Sequence, residues 1–437
     1  MRALLIGGGG REHAIGLSIL KSGTELVVIS PNRNPGLMRI AKEVIIGNEN
    51  DKELVLENAL RVEPDYVFIG PEAPLASGVS DILLENNLKV FAPSSSAARL
   101  ETSKAFCRRF MTENRLKGNI ESTSFSDPTK AKDFIEQIDY DFVIKPDGLT
   151  GGKGVMVQGV HFLTRKEGIE IAQDYLLSEN QTILIEKKVK GEEFSLQGFV
   201  HDTDVVFLPI VQDYKRAFED DRGPNTGGMG AICFSERGLP FIDPKTVLEA
   251  KAILKQLITK FSEKVDGYVG PIFGGFIATS EGPKLLEINA RLGDPEAMNA
   301  LSLTKNSIMD IAVSMFHNRV PKLEFENKIN VLRYLVPKGY GTKSVPSTIQ
   351  LDEEALMLKG IKTFYASVNL KGKMLEQTSS RSLALLSEGE DLEEVNGRFE
   401  GLSSMIKGEY SMRNDIGTEM MIEKKKNFMT SLTGGRA

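Results

Sequence analysis

The chain has two cysteines, Cys107 and Cys233, no tryptophan and four histidines in 437 residues. Two cysteines cannot frame a disulfide scaffold, and no Cys-x-x-Cys pair offers a zinc site. A reducing cytoplasm is the expected compartment. Positive charge is not in excess. The formal net charge is -6, so neither nucleic acid nor an anionic membrane is an expected partner. The one basic block, Lys424-Lys425-Lys426, reads as a solvated tail. No apolar run approaches the about 20 residues of a membrane span. The N-terminus opens directly on a strand pattern, Arg2-Ala3-Leu4-Leu5-Ile6, without the build of a secretion signal. No Ser-His-Asp or Cys-His set suggests covalent catalysis.

At about 150 residues per domain, the length implies about three domains. Short apolar runs at Ala3–Ile6, Leu26–Ile29, Val44–Ile46, Tyr66–Ile69 and Val90–Phe91 alternate with helical patterns. Continuous apolar strands separated by helices predict an open parallel α/β sheet covered on both faces. Its ligands should sit at the C-terminal strand ends. Past residue 100 come a helix holding Lys104, a strand–glycine loop–strand hairpin over Asp141–Val157, and the strand Thr182–Glu186. An antiparallel pattern runs from about 191 to 325, with a helix near 244–264. The remainder is strand-rich with charged turns and predicts a small α+β domain. The expected divisions are 1–100, 101–325 with a lid at about 118–190, and 326–430.

Several segments carry chemistry. Gly7-Gly8-Gly9-Gly10 follows the first strand and opens a helix at Arg11-Glu12-His13-Ala14. It fails the dinucleotide fingerprint, because Glu12 or His13 stands where Gly or Ala is needed. It reads either as a single-phosphate site on free backbone N–H groups or as a tight turn packed on glycine. His13 reads as a polar or packing residue. Gly70-Pro71-Glu72-Ala73-Pro74-Leu75 should lie on the same sheet edge. There Glu72 either binds a hydroxyl or amine or simply belongs to a proline turn.

Lys145 ends a strand, and Lys153 sits in the loop Gly151-Gly152-Lys153-Gly154. Glycines let backbone approach phosphate oxygens, and lysines bring compact positive charge. The loop is not a Walker A motif, since Gly154 follows Lys153. Taken singly, Lys104, Glu186 and Glu193 read as solvated charges, although the backbone edge at Glu186–Val189 could read an adenine.

The segment Leu286-Glu287-Ile288-Asn289-Ala290-Arg291 is the most informative. On an uninterrupted strand Glu287, Asn289 and Arg291 share one face and Leu286, Ile288 and Ala290 the other. A carboxylate and an amide oxygen suit Mg²⁺ completed by substrate phosphates. The guanidinium can clamp a carboxylate or phosphoryl group. Asp294-Pro295 predicts an N-cap followed by a first-turn proline. The polar loop 212–230 holds Gln212-Asp213-Tyr214-Lys215-Arg216 and Gly223-Pro224-Asn225-Thr226-Gly227-Gly228-Met229-Gly230, and long irregular loops of this kind are either functional or flexible excursions.

Lys104, the Lys145 strand, the Gly151–Gly154 loop, Glu186 and Glu287-x-Asn289-x-Arg291 occur in an order that resembles an ATP-grasp domain. More closely, the chain resembles the phosphoribosylamine–glycine ligase family, also called glycinamide ribonucleotide synthetases. Residues 9–14, 70–75, 212–216, 223–230, 293–296 and 413–417 carry the likeness, which spans nearly the whole chain. It implies an N-terminal pre-ATP-grasp domain, a central ATP-grasp domain with a mobile lid, and the small C-terminal domain. It also implies ligation of glycine to 5-phosphoribosylamine with ATP, through an acyl phosphate, in purine biosynthesis. The implied cofactors are ATP and Mg²⁺ (or Mn²⁺), and the protein would be a monomer or weak homodimer.

The resemblance further assigns phosphate neutralisation to Lys104, Lys145 and Lys153 with Gly151 and Gly152, and adenine and ribose contacts to Glu186, Val189 and Glu193. Metal falls to Glu287 and Asn289, and catalysis to Arg291, Lys153 and Asp213. Substrate falls to Gly8, Gly9, Gly10, Pro71, Glu72, Asn225, Thr226, Gly227, Gly228 and Met229. The Gly274-Gly275-Phe276-Ile277 strand brings no second acid, so water and phosphates should complete the metal's coordination. Two alternatives remain at this stage: a related ligase using formate or bicarbonate, and a nucleotide-binding regulator without turnover.

Overall fold

The computed structural model describes residues 1–149, 154–178, 182–265 and 267–434. Strands β1 (Arg2–Ile6), β2 (Glu25–Ser30), β3 (Glu43–Ile46), β4 (Tyr66–Ile69) and β5 (Val90–Phe91) form a parallel sheet in the order β3-β2-β1-β4-β5. Its apolar runs serve two cores. Leu4, Ile6, Val27, Ile29, Val67 and Ile69 pack on one face, while Ala3, Leu5, Leu26, Val28 and Phe68 pack on the other. That double burial is why no polar alternation shows in these strands. The turns after β1 and β4 lie side by side, since Gly7 N–H donates to Ile29 O and Gly70 N–H to Ile6 O.

A second unit has a core of its own around Ile135, Phe142, Ile144, Ile183 and Ile185. Its antiparallel sheet runs β6 (Ser122–Phe125), β9 (Ile183–Lys187), β7 (Phe142–Pro146), β8 (Met156–Val157). The glycine loop joins β7 to β8. Its residues 150–153, and with them the expected Gly151, Gly152 and Lys153, lie outside the described residues.

The largest sheet carries the site. Its order is β17 (Gly282–Asn289), β16 (Val269–Thr279), β10 (Glu192–His201), β12 (Val211–Asp213), β15 (Gly230–Cys233), β18 (Ile329–Leu335), β23 (Leu383–Gly389), β20 (Ile361–Tyr365), with β11 (Asp204–Phe207) paired to β10. The hairpin β13 (Arg216–Phe218) and β14 (Arg222–Asn225) projects from it. Strands β18, β20 and β23 come from the C-terminal region, so no break in the sheet marks position 326; β18 pairs the edge that β15 would otherwise expose. A four-stranded sheet, β21 (Val368–Lys371), β22 (Met374–Gln377), β19 (Thr348–Leu351), β24 (Ile406–Gly408), flanks it. The helix Glu419–Thr433 closes the chain. Lys425 in that helix is no part of a solvated tail. It is 8% exposed and pairs with Glu192 Oε2 at 2.9 Å; its stem follows the buried face of Met421, Ile422 and Met429.

Candidate active site

One cleft runs between the first sheet's C-terminal edge, the β6–β9 unit and β17. On its floor the alternation expected for residues 286–291 is broken. The β16–β17 register shifts between Gly275 and Phe276, which face Glu287 and Leu285. Leu286 is the extra residue, and a bulge of this kind re-aims side chains. Leu286 therefore joins Glu287 and Asn289 in lining the cleft, while Leu285 and Ala290 are buried away from it and Ile288, also buried, meets only its inner end. This corrects the placement of Leu286 on the apolar face. Glu287 is exposed to the cleft and Asn289 is half-buried. Among the described residues, no group of three or more His, Cys, Asp or Glu could hold a metal. One carboxylate plus an amide oxygen nevertheless fits a divalent ion that keeps waters and takes phosphate oxygens.

Arg291 lies beyond the strand end. Its Nε is 3.1 Å from Glu72 Oε2 and 3.3 Å from Glu101 Oε1. Arg11 sits 3.9 Å from the same Glu72 oxygen and donates to Leu292 O at 3.2 Å. The Arg291 charge holds Glu72 at about 2, against the opposing effect of burial. Burial pushes Glu101 up to about 7 despite Arg291. Two guanidiniums and two carboxyls thus join the first sheet to the end of β17.

The glycine turn after β1 departs from a phosphate cradle. Gly9 N–H donates to Glu12 Oε2 at 2.7 Å, and Glu12 Oε1 accepts from Arg11 Nε at 2.6 Å. The anion at this helix N-terminus is therefore Glu12. The glycines make room: a Cβ at Gly70 would lie 2.1 Å from Glu12 Oε1, and one at Gly8 would lie 2.2 Å from Ser30 Oγ. Gly10 packs beneath Tyr334, and neither Gly8, Gly9, Gly10 nor Pro71 lines the cleft. His13 is 5% exposed, accepts from Tyr365 N–H at 3.2 Å and is lowered to about 4 by burial and Arg39. It is a neutral packing residue.

The lysines are held in place. Lys104 Nζ donates to Gly148 O at 2.7 Å. Asp147 accepts from Ser103 Oγ at 3.0 Å and Ala105 N–H at 3.1 Å, docking the start of the glycine loop on a helix N-terminus. Lys145 Nζ lies 2.6 Å from Glu186 Oε2, and Arg108 Nε lies 2.7 Å from Glu186 Oε1. The Glu186 side chain is only 3% exposed and already has two cationic partners. It is not a free ligand, and its strand has no open edge either: β9 is paired by β6 and β7 on its two sides, and Lys187 and Lys188 N–H donate to Glu121 O at 2.9 Å and Asp141 O at 2.8 Å. Burial would raise its carboxyl, but Arg108 and Lys145 prevail and hold it at about 2. Val189 and Glu193 line the far end of the cleft. Glu193 faces Lys215 Nζ at 2.6 Å.

Beside Lys215 lies an acidic bay. Asp213 Oδ1 is buried without a hydrogen-bond partner. Burial and the neighbouring Glu296 push Asp213 well above the usual carboxylate range, and burial raises Glu296 as well. Such a pair calls for a cation or a shared proton. Asn225, Thr226 and Gly227 line this bay. Gly228, with φ +105°, is backed by Asp213, where a Cβ would lie 2.6 Å from Oδ1. Met229 does not reach the cleft. It is 2% exposed, its N–H donates to Tyr214 O at 2.7 Å, and its carbonyl accepts from Tyr334 N–H at 2.9 Å. Asp294 is not the helix cap that Asp-Pro suggests. The helix Glu296–Leu303 has no side-chain cap bond, and Asp294 Oδ1 instead accepts from Tyr334 OH at 2.7 Å.

Sequence reasoning did not single out Arg108, Glu101, Lys215, Glu296, Tyr334 or Arg381. Lys215 and Glu296 sit inside motifs that were noted. The others are brought in by contacts 40 to 189 residues apart along the chain, which no local pattern encodes.

Two family matches divide the N-terminal two thirds: Phosphoribosylglycinamide synthetase, N domain, over residues 1–101, and Phosphoribosylglycinamide synthetase, ATP-grasp (A) domain, over residues 102–297. A phosphoribosylamine–glycine ligase of Pyrococcus furiosus is 38% identical over 99% of this chain and 98% of its own length. That of Methanocaldococcus jannaschii is also 38% identical, over 99% and 100%. The crystal structure of the Thermotoga maritima phosphoribosylamine–glycine ligase superposes with a TM-score of 0.81 at 27% identity, covering 95% of this chain and 100% of that one. A Hydrogenobacter thermophilus biotin carboxylase domain solved with MgADP shares the fold at a TM-score of 0.71 and 14% identity, covering 100% of this chain and 95% of that one.

Proposed function

Since this chain belongs to the phosphoribosylamine–glycine ligase family, we infer that it joins glycine to 5-phosphoribosylamine in purine biosynthesis, converting ATP to ADP and phosphate. Reaction through a glycyl phosphate is our reading. A glycine carboxylate oxygen attacks the γ-phosphorus, and the bond to the β–γ bridging oxygen breaks. The amine nitrogen then attacks the acyl carbon, and phosphate leaves with the bonding pair. Such phosphoryl transfer needs positioning and charge stabilisation more than a side-chain nucleophile.

The observation that carries this reading is the meeting of Glu287 and Asn289 with the lysine-lined end of the cleft and the acidic bay at Asp213. Lys104 and Lys145 would neutralise the triphosphate, a role we also assign to Gly151, Gly152 and Lys153, which lie outside the described residues. Of the stretch Glu186–Val189, Val189 past the paired strand lines the cleft and would read adenine with its backbone, and Glu193 would hold the ribose. Glu287 and Asn289 would hold a divalent ion, Mg²⁺ by the hardness of its oxygen donors, whose charge would offset that of the phosphates. Asp213 and Glu296 take the glycine ammonium, with Asn225–Gly227 walling the bay. Arg291 would stabilise the acyl phosphate. Glu72 and Arg11 meet phosphoribosylamine, so the acceptor amine approaches from the first sheet's edge.

No helix among the described residues is long and apolar enough to cross a membrane. A coupled ADP-release assay that omits each substrate in turn tests the reading. ADP should appear stoichiometrically only when both glycine and phosphoribosylamine are present. ADP release that responds to formate or bicarbonate in place of glycine sinks it.

A further inference from the structure

Arg381 comes from the turn between β22 and β23, outside every motif above. Its backbone is pinned, for Ser367 N–H donates to its carbonyl at 3.0 Å and the next residue, Ser382, donates to Leu335 O at 2.9 Å. The side chain is 14% exposed and reaches into the cleft wall beside Ser379 and Ser380. There one guanidinium nitrogen, Nη1, donates to Gly227 O, to Gly228 O at 3.4 Å and to Asp294 O at 3.1 Å. The other, Nη2, pairs with Asp294 Oδ2 at 3.1 Å. The Arg381 Cζ lies 4.5 Å from the Tyr334 ring centroid, and Tyr334 OH donates to the second Asp294 oxygen at 2.7 Å.

We propose that Arg381 is a positioning residue for the amino-acid substrate: its planar fork locks the 227–228 turn onto Asp294 and so fixes the wall that faces Asp213. The fork geometry matters, because a guanidinium can satisfy several carbonyls and a carboxylate at once, and an ammonium cannot. The N–H groups of the turn are held elsewhere, Gly227 by Tyr340 OH at 3.4 Å and Gly228 by Thr226 Oγ1 at 3.1 Å, and Arg381 holds its carbonyls. Gly227 and Gly228 have no side chains with which to hold the turn, and Gly228 sits at φ +105° against Asp213. Loss of the clamp would let the turn relax away from Asp213 without disturbing Lys104 or Glu186 at the nucleotide end. The C-terminal region thereby takes part in the site through Arg381 rather than only closing the sheet.

This inference rests on the assignment of glycine to the Asp213 bay. The test is steady-state kinetics of Arg381→Lys with each substrate varied in turn, beside its far-UV circular dichroism melt. Because charge-assisted hydrogen bonds to the turn are lost, KM for glycine should rise about tenfold or more, while KM for ATP stays within about twofold. Guanidinium ion added to Arg381→Ala should recover part of the loss. An unchanged glycine KM overturns the proposal. So does a rise confined to phosphoribosylamine, which would make Arg381 a direct contact to that substrate's phosphate. Should Arg381→Lys fail to fold, Tyr334→Phe removes one hydroxyl from the same clamp, and a glycine KM equal to wild type there is equally fatal. Wild-type protein lacking glycine-dependent ADP release would instead defeat the assignment of the reaction itself.

Discussion

Glu186→Gln is the sharpest perturbation of the buried charges under the cleft. The carboxylate has Arg108 Nε at 2.7 Å and Lys145 Nζ at 2.6 Å. Arg108 also donates to Leu285 O at 2.8 Å and Leu286 O at 2.9 Å, tying β9 to β17. Glutamine keeps the volume but leaves two buried cations facing a neutral amide. Removing one partner of a buried pair costs about 3–5 kcal/mol. A second route gives a similar figure. The carboxyl moves from 4.5 to about 2 on folding, and at about 1.4 kcal/mol per unit this is about 3 kcal/mol. The group's folded value is lowered, so this stability is present above about pH 4.5 and is lost as pH falls through about 2. With no tryptophan in the chain, the assay is urea unfolding followed by far-UV circular dichroism, with calorimetry to separate transitions in a protein of several units. At pH 7 the variant should unfold at lower urea, and ATP should bind more weakly as Lys145 loses its anchor. Approaching pH 2, the two proteins should converge. A variant with wild-type midpoints at pH 7, or a gap that widens in acid, refutes the reasoning.

Three further outcomes are expected. Glu287→Ala should abolish ligation while its circular dichroism spectrum and melt remain those of the wild type, and binding of Mn²⁺ followed by electron paramagnetic resonance should weaken in parallel; near-normal turnover removes the metal assignment. Gly228→Ala places a Cβ 2.6 Å from Asp213 Oδ1 at a φ of +105°, and backbone strain of about 1–3 kcal/mol should appear as a raised KM for glycine with little change for ATP. Lys425→Met leaves Glu192 without its 2.9 Å partner, and calorimetry should show a loss of about 2 kcal/mol, a partly exposed pair costing less than a fully buried one.

The first sheet could be read from sequence because burial on both faces makes Leu4–Ile6, Val27–Ile29 and Val67–Ile69 uniformly apolar. The positions of Glu287 and Asn289 could be read because strand alternation is local. Leu286 could not, since the bulge depends on how Gly275 and Phe276 of the partner strand are spaced. Asp294 followed the local logic of Asp-Pro helix caps and was claimed instead by Tyr334 and Arg381, groups 40 and 87 residues away. At the glycine turn the sequence left a phosphate site and a packed turn both open for a related reason: the anion it accommodates, Glu12, is three residues on from Gly9 and looks from sequence like an ordinary first-turn acid. Lys425 is not legible locally, because three lysines in a row hide the one that faces inward.

The union of β15 with β18 has a practical side for anyone dissecting the protein. The ATP-grasp match ends at residue 297, ahead of β18. A fragment cut there would carry β15 as a naked edge with four residues of unpaired N–H and C=O groups, the kind of border along which chains stack into aggregates. Expression of that piece alone should give inclusion bodies, and co-expression of residues 298–437 is the natural way to recover it in soluble form.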